Sequence, residues 1–156
     1  MLLQHPAHFF ALGLGSGLAA KAPGTFGSLV GLPFFWLIAV YALSTQLIII
    51  AVLFLLGIYF CQVTGEALGV PDHGSIVWDE IVAFWLVLCL ITPCGWLAQF
   101  AAFVLFRYFD IAKPGPVRWA DQAFKGFGWR GGWGILFDDF VAAFCTLLVI
   151  ALWRVI

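Results

Sequence analysis

The sequence predicts an all-α integral membrane protein, a compact bundle of about five transmembrane helices, or four if residues 77–111 are re-entrant. Apolar residues make up 64% of the chain and charged residues only 10%, whereas soluble domains have roughly 45–50% and about 25%. No charged residue occurs from Ala22 to Gly65 or from Ile81 to Phe106. Both stretches exceed the roughly 20 apolar residues that cross a bilayer as a helix.

The first uncharged stretch is long enough for two helices. A short polar group, Ser44–Gln46, interrupts it, so we expect a turn there between helices near 27–43 and 46–65. Pro33 lies inside the first helix. Because proline lacks an N–H and its ring clashes with the preceding turn, it predicts a bend at this point.

The second uncharged stretch is divided at Thr92–Gly95, where a proline and a glycine stand close together and interrupt helical structure. It predicts a hairpin of helices near 77–92 and 96–111. Each arm is short for a full span, so a re-entrant pair or a single broken helix is an alternative. A last apolar run over about 134–153 predicts the final helix, and the whole chain is expected to form one membrane-embedded domain, 1–156.

The few charged residues predict the orientation of the bundle. With five spans, Lys21, the 66–80 segment and the 107–134 segment lie on the same side of the membrane. The 107–134 segment carries five basic residues, and the positive-inside rule places such a loop in the cytoplasm. We therefore expect the polar chemistry of a multi-pass protein to face the cytoplasm. A net charge of −1 provides no basic surplus, which excludes nucleic acid as a partner.

The cysteines and the N-terminus predict no additional feature. The four cysteines lie in or beside apolar stretches without a CxxC pair, so we expect free thiols that pack as small apolar residues. The first residues lack a basic region and a clear cleavage site, so a cleaved signal peptide is not expected.

Carboxylates at predicted helix ends are the candidate catalytic and metal-binding groups. They are Asp79, Glu80, Asp110, Asp138 and Asp139. A carboxylate at membrane depth costs about 2.5–3.5 kcal/mol on insertion scales, so by default it marks a functional site. Clustered carboxylates repel one another unless a cation joins them, and oxygen ligands of this kind suit Mg²⁺, Mn²⁺ or Ca²⁺. The sequence therefore predicts a site for one or two divalent ions.

Basic and hydroxyl side chains near these acids are candidate phosphate ligands. Arg107, Lys113 and Arg118 suit phosphate oxygens, arginine through its bidentate fork and lysine as a point charge. Thr25 and Ser28 lie in a glycine-rich run ahead of a predicted helix, whose N-terminus attracts anions. Acids, bases and no soft ligand together indicate phosphate chemistry with a hard metal.

Several of these residues also have purely structural interpretations. His73 is a candidate base or phosphate ligand, but beside Asp72 in a glycine-containing loop it is equally typical of a turn. The acids at helix starts complement helix macrodipoles without any further role. Arg107 and Asp110, which share a helix face at a spacing of three, would also form a structural ion pair.

Four segments, in this order, resemble the signature segments of the bacterial phosphatidylglycerophosphatase A family. They are GSGLAAKAPGTFGS (15–28), DHGSIVWDE (72–80), RYFDIAKPGPVRWAD (107–121) and GGWGILFDD (131–139). The resemblance covers nearly the whole chain, from about Phe9 to the last helix. Four ordered motifs of this length are far more specific than a single short pattern.

The resemblance implies an integral protein of the bacterial inner membrane that removes the terminal phosphate of phosphatidylglycerophosphate with the help of Mg²⁺. Metal ligands would be Asp79, Glu80, Asp138 and Asp139, and the catalytic set would add Asp110 and Lys113. Substrate phosphate would contact Thr25, Ser28, His73, Arg107, Lys113 and Arg118. The substrate and membrane lipids are the expected partners, with no obligate protein partner.

A different class of function uses the same residue types. Acids and arginines at membrane depth also mark ion pathways in small transporters and channels. The discriminating feature is position, because a transporter needs its charges near the membrane midplane, whereas these charges are predicted at one face.

Overall fold

The computed structural model describes residues 5–155, and over that range the chain is entirely helical apart from its connecting turns. The helices are α1 (Pro6–Ala11), a 3-10 helix (Gly13–Leu18), α2 (Pro23–Ile38), α3 (Leu43–Leu68), α4 (Trp78–Ile91), α5 (Trp96–Ala112), α6 (Pro116–Ala123) and α7 (Trp129–Val155). This confirms the predicted all-α class. Residues 1–4 and 156 of the predicted domain lie outside the described residues.

Helix α2 is longer at its start than the sequence predicts. It begins at Pro23 rather than near residue 27. Proline suits the first turn of a helix, because its missing N–H would have no partner there and its φ is already helical. The helix continues through Pro33. Its first turn is thereby placed beside the charged end of α4.

The turn between α2 and α3 is not where the polar residues predict it. Ser44–Gln46 belong to the first turn of α3, so the predicted break at these residues is wrong, and the chain turns at 39–42 instead. Gln46 has a role in this turn, because its side-chain Nε2 donates a hydrogen bond of 2.8 Å to the carbonyl oxygen of Tyr41. Gln46 therefore stabilises this turn by a hydrogen bond from the first turn of α3.

The hairpin predicted over 77–111 is confirmed as two helices of 14 and 17 residues. They are joined at the predicted break, where the hydroxyl of Thr92 donates a hydrogen bond of 2.7 Å to the carbonyl oxygen of Leu88. Both helices are shorter than the roughly 20 residues of a perpendicular membrane span.

Three short helices were not predicted: α1, the 3-10 helix and α6. Their lengths of 6 to 8 residues are below the range in which hydrophobic periodicity is informative. Tertiary contacts hold them in place. For example, the N–H of Val77 donates a hydrogen bond of 2.9 Å to the carbonyl oxygen of Ala11, which ties α1 to the start of α4.

Helix α4 forms the centre of the bundle and packs against α2, α3, α5 and α7. Its side chains are almost all buried from Trp78 to Ile91. Two tryptophans fix it to its neighbours: Trp78 Nε1 donates to the carbonyl oxygen of Leu53 at 3.1 Å, and Trp85 Nε1 donates to that of Gly31 at 3.1 Å. The position of the acidic first turn of α4 is therefore set by two helices.

Two helices, Leu43–Leu68 and Trp129–Arg154, are long and apolar enough to cross a membrane, and α2 is apolar but shorter. Large apolar side chains such as Leu37, Leu55 and Trp153 point outward and are more than half exposed, whereas soluble monomers rarely expose contiguous apolar surface of this kind. These features are those of a membrane protein. The four cysteines are free, as predicted.

Candidate active site

Ten charged side chains gather at one end of the bundle, and we call them the charge cluster. The carboxylates are Asp72, Asp79, Glu80, Asp110, Asp121, Asp138 and Asp139, and the cations are Arg107, Lys113 and Lys125. Seven carboxylates against three cations leave an excess of four formal negative charges. All the predicted catalytic residues belong to this cluster.

Asp79 and Glu80 stand in the first turn of α4, where the positive end of the helix macrodipole favours acidic residues. Asp79 is buried, and the side chain of Glu80 is only 15% exposed. Glu80 lies directly against Gly24 in the first turn of α2, so closely that a Cβ at this glycine would overlap the carboxylate. The absence of a side chain at residue 24 is therefore what admits Glu80 to this position.

Arg107 connects the acidic turn of α4 to the end of α5. One of its terminal nitrogens, Nη1, donates to Glu80 Oε1 at 2.9 Å and also to the carboxylate of Asp110, one turn along the same helix. The structure therefore contains the predicted pair of Arg107 and Asp110 and adds Glu80 to it. Arg107 is largely buried, and its Nε atom has no hydrogen-bond partner within the described chain.

Lys113 ends α5 and connects it to α6 and α7. Its backbone is left-handed, with φ 45°, an uncommon conformation for a residue with a side chain. Its Nζ contacts Asp121 on α6 and Asp138 on α7, each at 2.5 Å. Burial acts to lower the pKa of this ammonium group, but the two carboxylates outweigh it and raise the pKa above its ordinary value.

Asp121 forms salt bridges with two lysines. Besides its contact with Lys113, it receives a contact from Lys125 Nζ at 3.1 Å. Partial burial acts to raise the pKa of Asp121, but the hydrogen bonds from both lysines outweigh it and lower the pKa below its ordinary value. Asp121 is thus held ionised, and it fixes α6 against the cluster.

Asp138 and Asp139 lie well inside α7. The sequence predicts them at the start of this helix, but α7 begins nine residues earlier, at Trp129, so a role in neutralising its macrodipole is wrong for this pair. Both are buried, at 5% and 3% exposure. Asp138 contacts Lys113, whereas Asp139 has no salt bridge within residues 5–155. A buried carboxylate without a cation is costly.

Buried polar atoms without a hydrogen-bond partner concentrate in this part of the molecule. Among the described residues there are six such side-chain atoms, and four of them belong to charge-cluster residues: Asp79 Oδ1, Glu80 Oε2, Arg107 Nε and Asp139 Oδ2. A fifth, Ser28 Oγ, lies on α2 one turn beyond Gly24. Native structures leave few buried polar groups unsatisfied, so each of them requires an explanation.

The predicted phosphate ligands occupy different environments. Ser28 is buried and Thr25 half-buried, both in the first two turns of α2, while Arg118 is exposed on α6 and has no salt bridge among the described residues. His73 Nδ1 accepts a hydrogen bond of 3.2 Å from the N–H of Ser75, which is a turn contact.

A cavity of about 270 Å³ opens beside the cluster. Asp72, Asp121, Lys125 and Asp138 line it together with glycines at the start of α7. Asp72 and Asp121 are absent from the predicted site. The sequence signal for Asp121 was its place in the third signature segment, eight residues after Lys113, but the turn that brings the two together depends on the left-handed backbone of Lys113.

No three acidic, histidine or cysteine side chains among residues 5–155 are arranged closely enough to surround one metal ion. The unpartnered oxygens nevertheless provide the hard donor atoms that a divalent cation requires: Asp79 Oδ1, Glu80 Oε2 and Asp139 Oδ2. These residues fit such an ion chemically. Asp138 differs from them because one of its oxygens contacts Lys113.

Known proteins resemble this chain over most of its length. The family model described as Phosphatidylglycerophosphatase A matches residues 9–154. A protein of Haemophilus influenzae named phosphatidylglycerophosphatase A is 45% identical over 149 residues, covering 95% of this chain and 88% of the relative. The Escherichia coli protein of the same name is 39% identical over 140 residues, covering 90% and 78%. No solved structure matches the chain.

Proposed function

The chain belongs to the phosphatidylglycerophosphatase A family, and we propose that it hydrolyses the terminal phosphate of phosphatidylglycerophosphate to give phosphatidylglycerol and inorganic phosphate. We place the reaction at the charge cluster, at the cytoplasmic surface of the bacterial inner membrane, in a bundle of about five spans, and expect it to depend on Mg²⁺. We infer the substrate from the names of the relatives. We infer the metal from the buried carboxylate oxygens that have no hydrogen-bond partner among the described residues.

The observation that carries the proposal is the set of buried, unpartnered oxygens on Asp79, Glu80 and Asp139. Seven carboxylates share only three cations in this cluster, and mutual repulsion of buried acids is costly without a compensating charge. A divalent cation bound by these three residues, with Asp138 as the fourth predicted ligand, would provide that charge, and its binding requires these side chains to move closer together than they lie in the structure. When bound, Mg²⁺ polarises the phosphoryl oxygens as a Lewis acid.

The basic residues of the cluster hold the substrate and balance its charge. Phosphoryl transfer spreads negative charge over the transferred oxygens, so catalysis depends on positioning and electrostatic stabilisation. Lys113 is held rigidly by Asp121 and Asp138, and Arg107 is held by Glu80 and Asp110. Both cations are therefore preorganised, and Arg107 Nε is a donor without a partner among the described residues.

The remaining predicted ligands fit a substrate that enters from the membrane surface. Arg118 is exposed, which suits a first contact with a phosphate group. The 270 Å³ cavity beside Asp138 would receive part of the polar head group. Thr25 and Ser28 lie on the helix that contacts Glu80, and their hydroxyls are candidate hydrogen-bond donors to phosphate. The roles of these residues and of His73 stay predictions.

A transporter or channel is the alternative class. It would require charges near the middle of the membrane-spanning helices. Asp138 and Asp139 lie two to three turns inside α7, but Asp79 and Glu80 lie in the first turn of α4 and the paired cations at the end of α5. Most of the cluster therefore lies at the same end of the bundle. This position favours the phosphatase.

The test is phosphate release by detergent-purified protein from phosphatidylglycerophosphate and from phosphatidic acid, with Mg²⁺ and with EDTA. We expect Mg²⁺-dependent release that favours the first substrate and a loss of roughly 10²-fold or more in the Asp79→Asn and Asp138→Asn variants. Glu66→Gln is the matched control, because Glu66 is an exposed carboxylate outside the cluster.

Two results would contradict the proposal. Full activity of folded Asp79→Asn or Asp138→Asn protein would show that the site is elsewhere. No release from either substrate with any divalent metal, by protein shown to be folded, would return the transporter to consideration.

A further inference from the structure

A second cavity lies at the end of the bundle opposite the charge cluster. It is a cleft of about 430 Å³ between the start of α5 and the end of α7. Its walls are formed by Ala98, Ala101 and Leu105 on α5 and by Val149 and Trp153 on α7. The volume falls in the range of roughly 300–1,000 Å³ that is usual for ligand sites.

The cleft is apolar because of the residues that line it. Alanines on α5 leave room where larger side chains would fill the space against α7. The facing side chains of α7 are also apolar, and Val149 and Trp153 are exposed at 38% and 82%. A groove of this composition accepts a hydrocarbon chain without leaving a polar group unsatisfied.

Arg154 stands at the edge of the cleft and supplies the only charge among the described residues that line it. It is exposed and takes part in no salt bridge within residues 5–155. The turns at this end of the bundle carry no carboxylate, because the sequence has no charged residue from 22 to 65 or from 81 to 106. A guanidinium group in this situation is complementary to a phosphate, which it can bind through two parallel hydrogen bonds.

The distance along α7 places Arg154 at the level of lipid head groups. It follows Arg130, which is exposed at the other end of the same helix, by 24 residues, roughly 36 Å at 1.5 Å per residue, and this exceeds the hydrocarbon core of a bilayer, which is about 30 Å thick. The adjacent Trp153 is of the residue type enriched at this interface. An apolar cleft thus runs into the membrane beneath a cation at its surface.

We propose that this cleft binds one phospholipid from the leaflet farther from the charge cluster, with an acyl chain between α5 and α7 and its phosphate paired with Arg154. The site is separate from the catalytic one. The inference requires that the helices span a bilayer, but it does not depend on which reaction the charge cluster performs.

The test uses the full chain reconstituted in phosphatidylcholine vesicles that contain a phosphatidylglycerol probe with a photoreactive diazirine in one acyl chain. After illumination, mass spectrometry locates the adducts. We expect them to concentrate on residues 98–105 and 149–153. Arg154→Gln should lower labelling of these segments roughly tenfold, as loss of a charge-assisted hydrogen bond does.

Two further variants test whether labelling depends on the charge of Arg154 and on the space in the cleft. Arg130→Gln removes an exposed arginine from the opposite end of the same helix and should leave labelling of the cleft unchanged. Ala101→Phe fills the cleft and should abolish labelling there, while thermal denaturation shows that the variant is still folded. Equal labelling in Arg154→Gln and Arg130→Gln, adducts spread evenly over all outward-facing helices, or crosslinks to a second copy of the chain would each overturn the proposal.

Discussion

Replacing Gly24 with alanine tests whether the contact between α2 and the acidic turn of α4 positions Glu80, a proposed metal ligand. A Cβ at residue 24 would overlap the Glu80 carboxylate, so Glu80 must move. Overpacking of this kind costs typically about 1–3 kcal/mol. Alanine is favoured over glycine inside a helix by up to about 1 kcal/mol, so the net loss of stability should lie between roughly 0 and 3 kcal/mol.

The expected effect on activity is much larger than the effect on folding. Displacing a catalytic group by about 1 Å can cost on the order of 10²-fold in rate, and Glu80 would also lose its contact with Arg107. The assay is Mg²⁺-dependent phosphate release from phosphatidylglycerophosphate, read beside the thermal denaturation of the same preparation. Gly74→Ala is the matched control, because no neighbouring atom lies within 4 Å of the position that its new methyl group would take, and its φ is not left-handed.

Combining Gly24→Ala with Glu80→Asp shows whether the loss of activity comes from the overlap with the Glu80 side chain. Glu80→Asp shortens the side chain by one methylene and removes the overlap, so adding Gly24→Ala to Glu80→Asp should have little additional effect, a coupling that a double-mutant cycle measures. The reasoning is refuted if Gly24→Ala keeps full activity, or if it lowers activity by the same factor in the Glu80→Asp protein as in the protein that retains Glu80.

Other substitutions separate catalysis from stability. Lys113→Met should lower phosphate release roughly 10²-fold or more, whereas Lys125→Met, which removes a 65% exposed cation, should have a small effect; equal losses would contradict the special role of Lys113. Gly57→Ala places a methyl group 2.7 Å from Trp78 Cδ1 and should destabilise the protein by about 1–3 kcal/mol, measured by denaturation. Gly95→Ala, with nothing within 4 Å, should leave stability unchanged.

The long helices could be predicted because hydrophobicity and helix-breaking residues are local signals. The break at Thr92–Gly95 and the all-α class followed from them. The start of α7 did not, because the apolar run that predicts this helix begins only near residue 134, whereas the helix begins at Trp129. In the structure Gly132 and Gly134 lie within the helix, where a Cβ would overlap the backbone oxygens of Ile58 and Phe124. They permit close packing rather than ending the helix.

In the candidate site, too, local sequence signals could be predicted, whereas contacts that depend on tertiary structure could not. Acids rare enough to be conspicuous in an apolar chain were found by composition, and the structure brings Asp79, Glu80, Asp138 and Asp139 to one end of the bundle. Which acids are paired could not be predicted, because the pairing of Lys113 with Asp121 depends on a turn whose backbone is left-handed at a lysine. Residue type alone gave no sign that Gly24 makes room for Glu80.

The order of the helices along the chain has a consequence for biosynthesis. Glu80 belongs to α4, but its arginine comes from α5, and Asp139 comes from α7, the last helix of the described chain. About 60 residues must be added after Glu80 before Asp139 exists, which takes roughly 3–12 s at about 5–20 residues per second. During this interval the nascent protein contains acids without their final neighbours. If Asp139 is a metal ligand, as proposed, an incomplete or stalled polypeptide has no activity, and activity begins only when the last helix packs against the others.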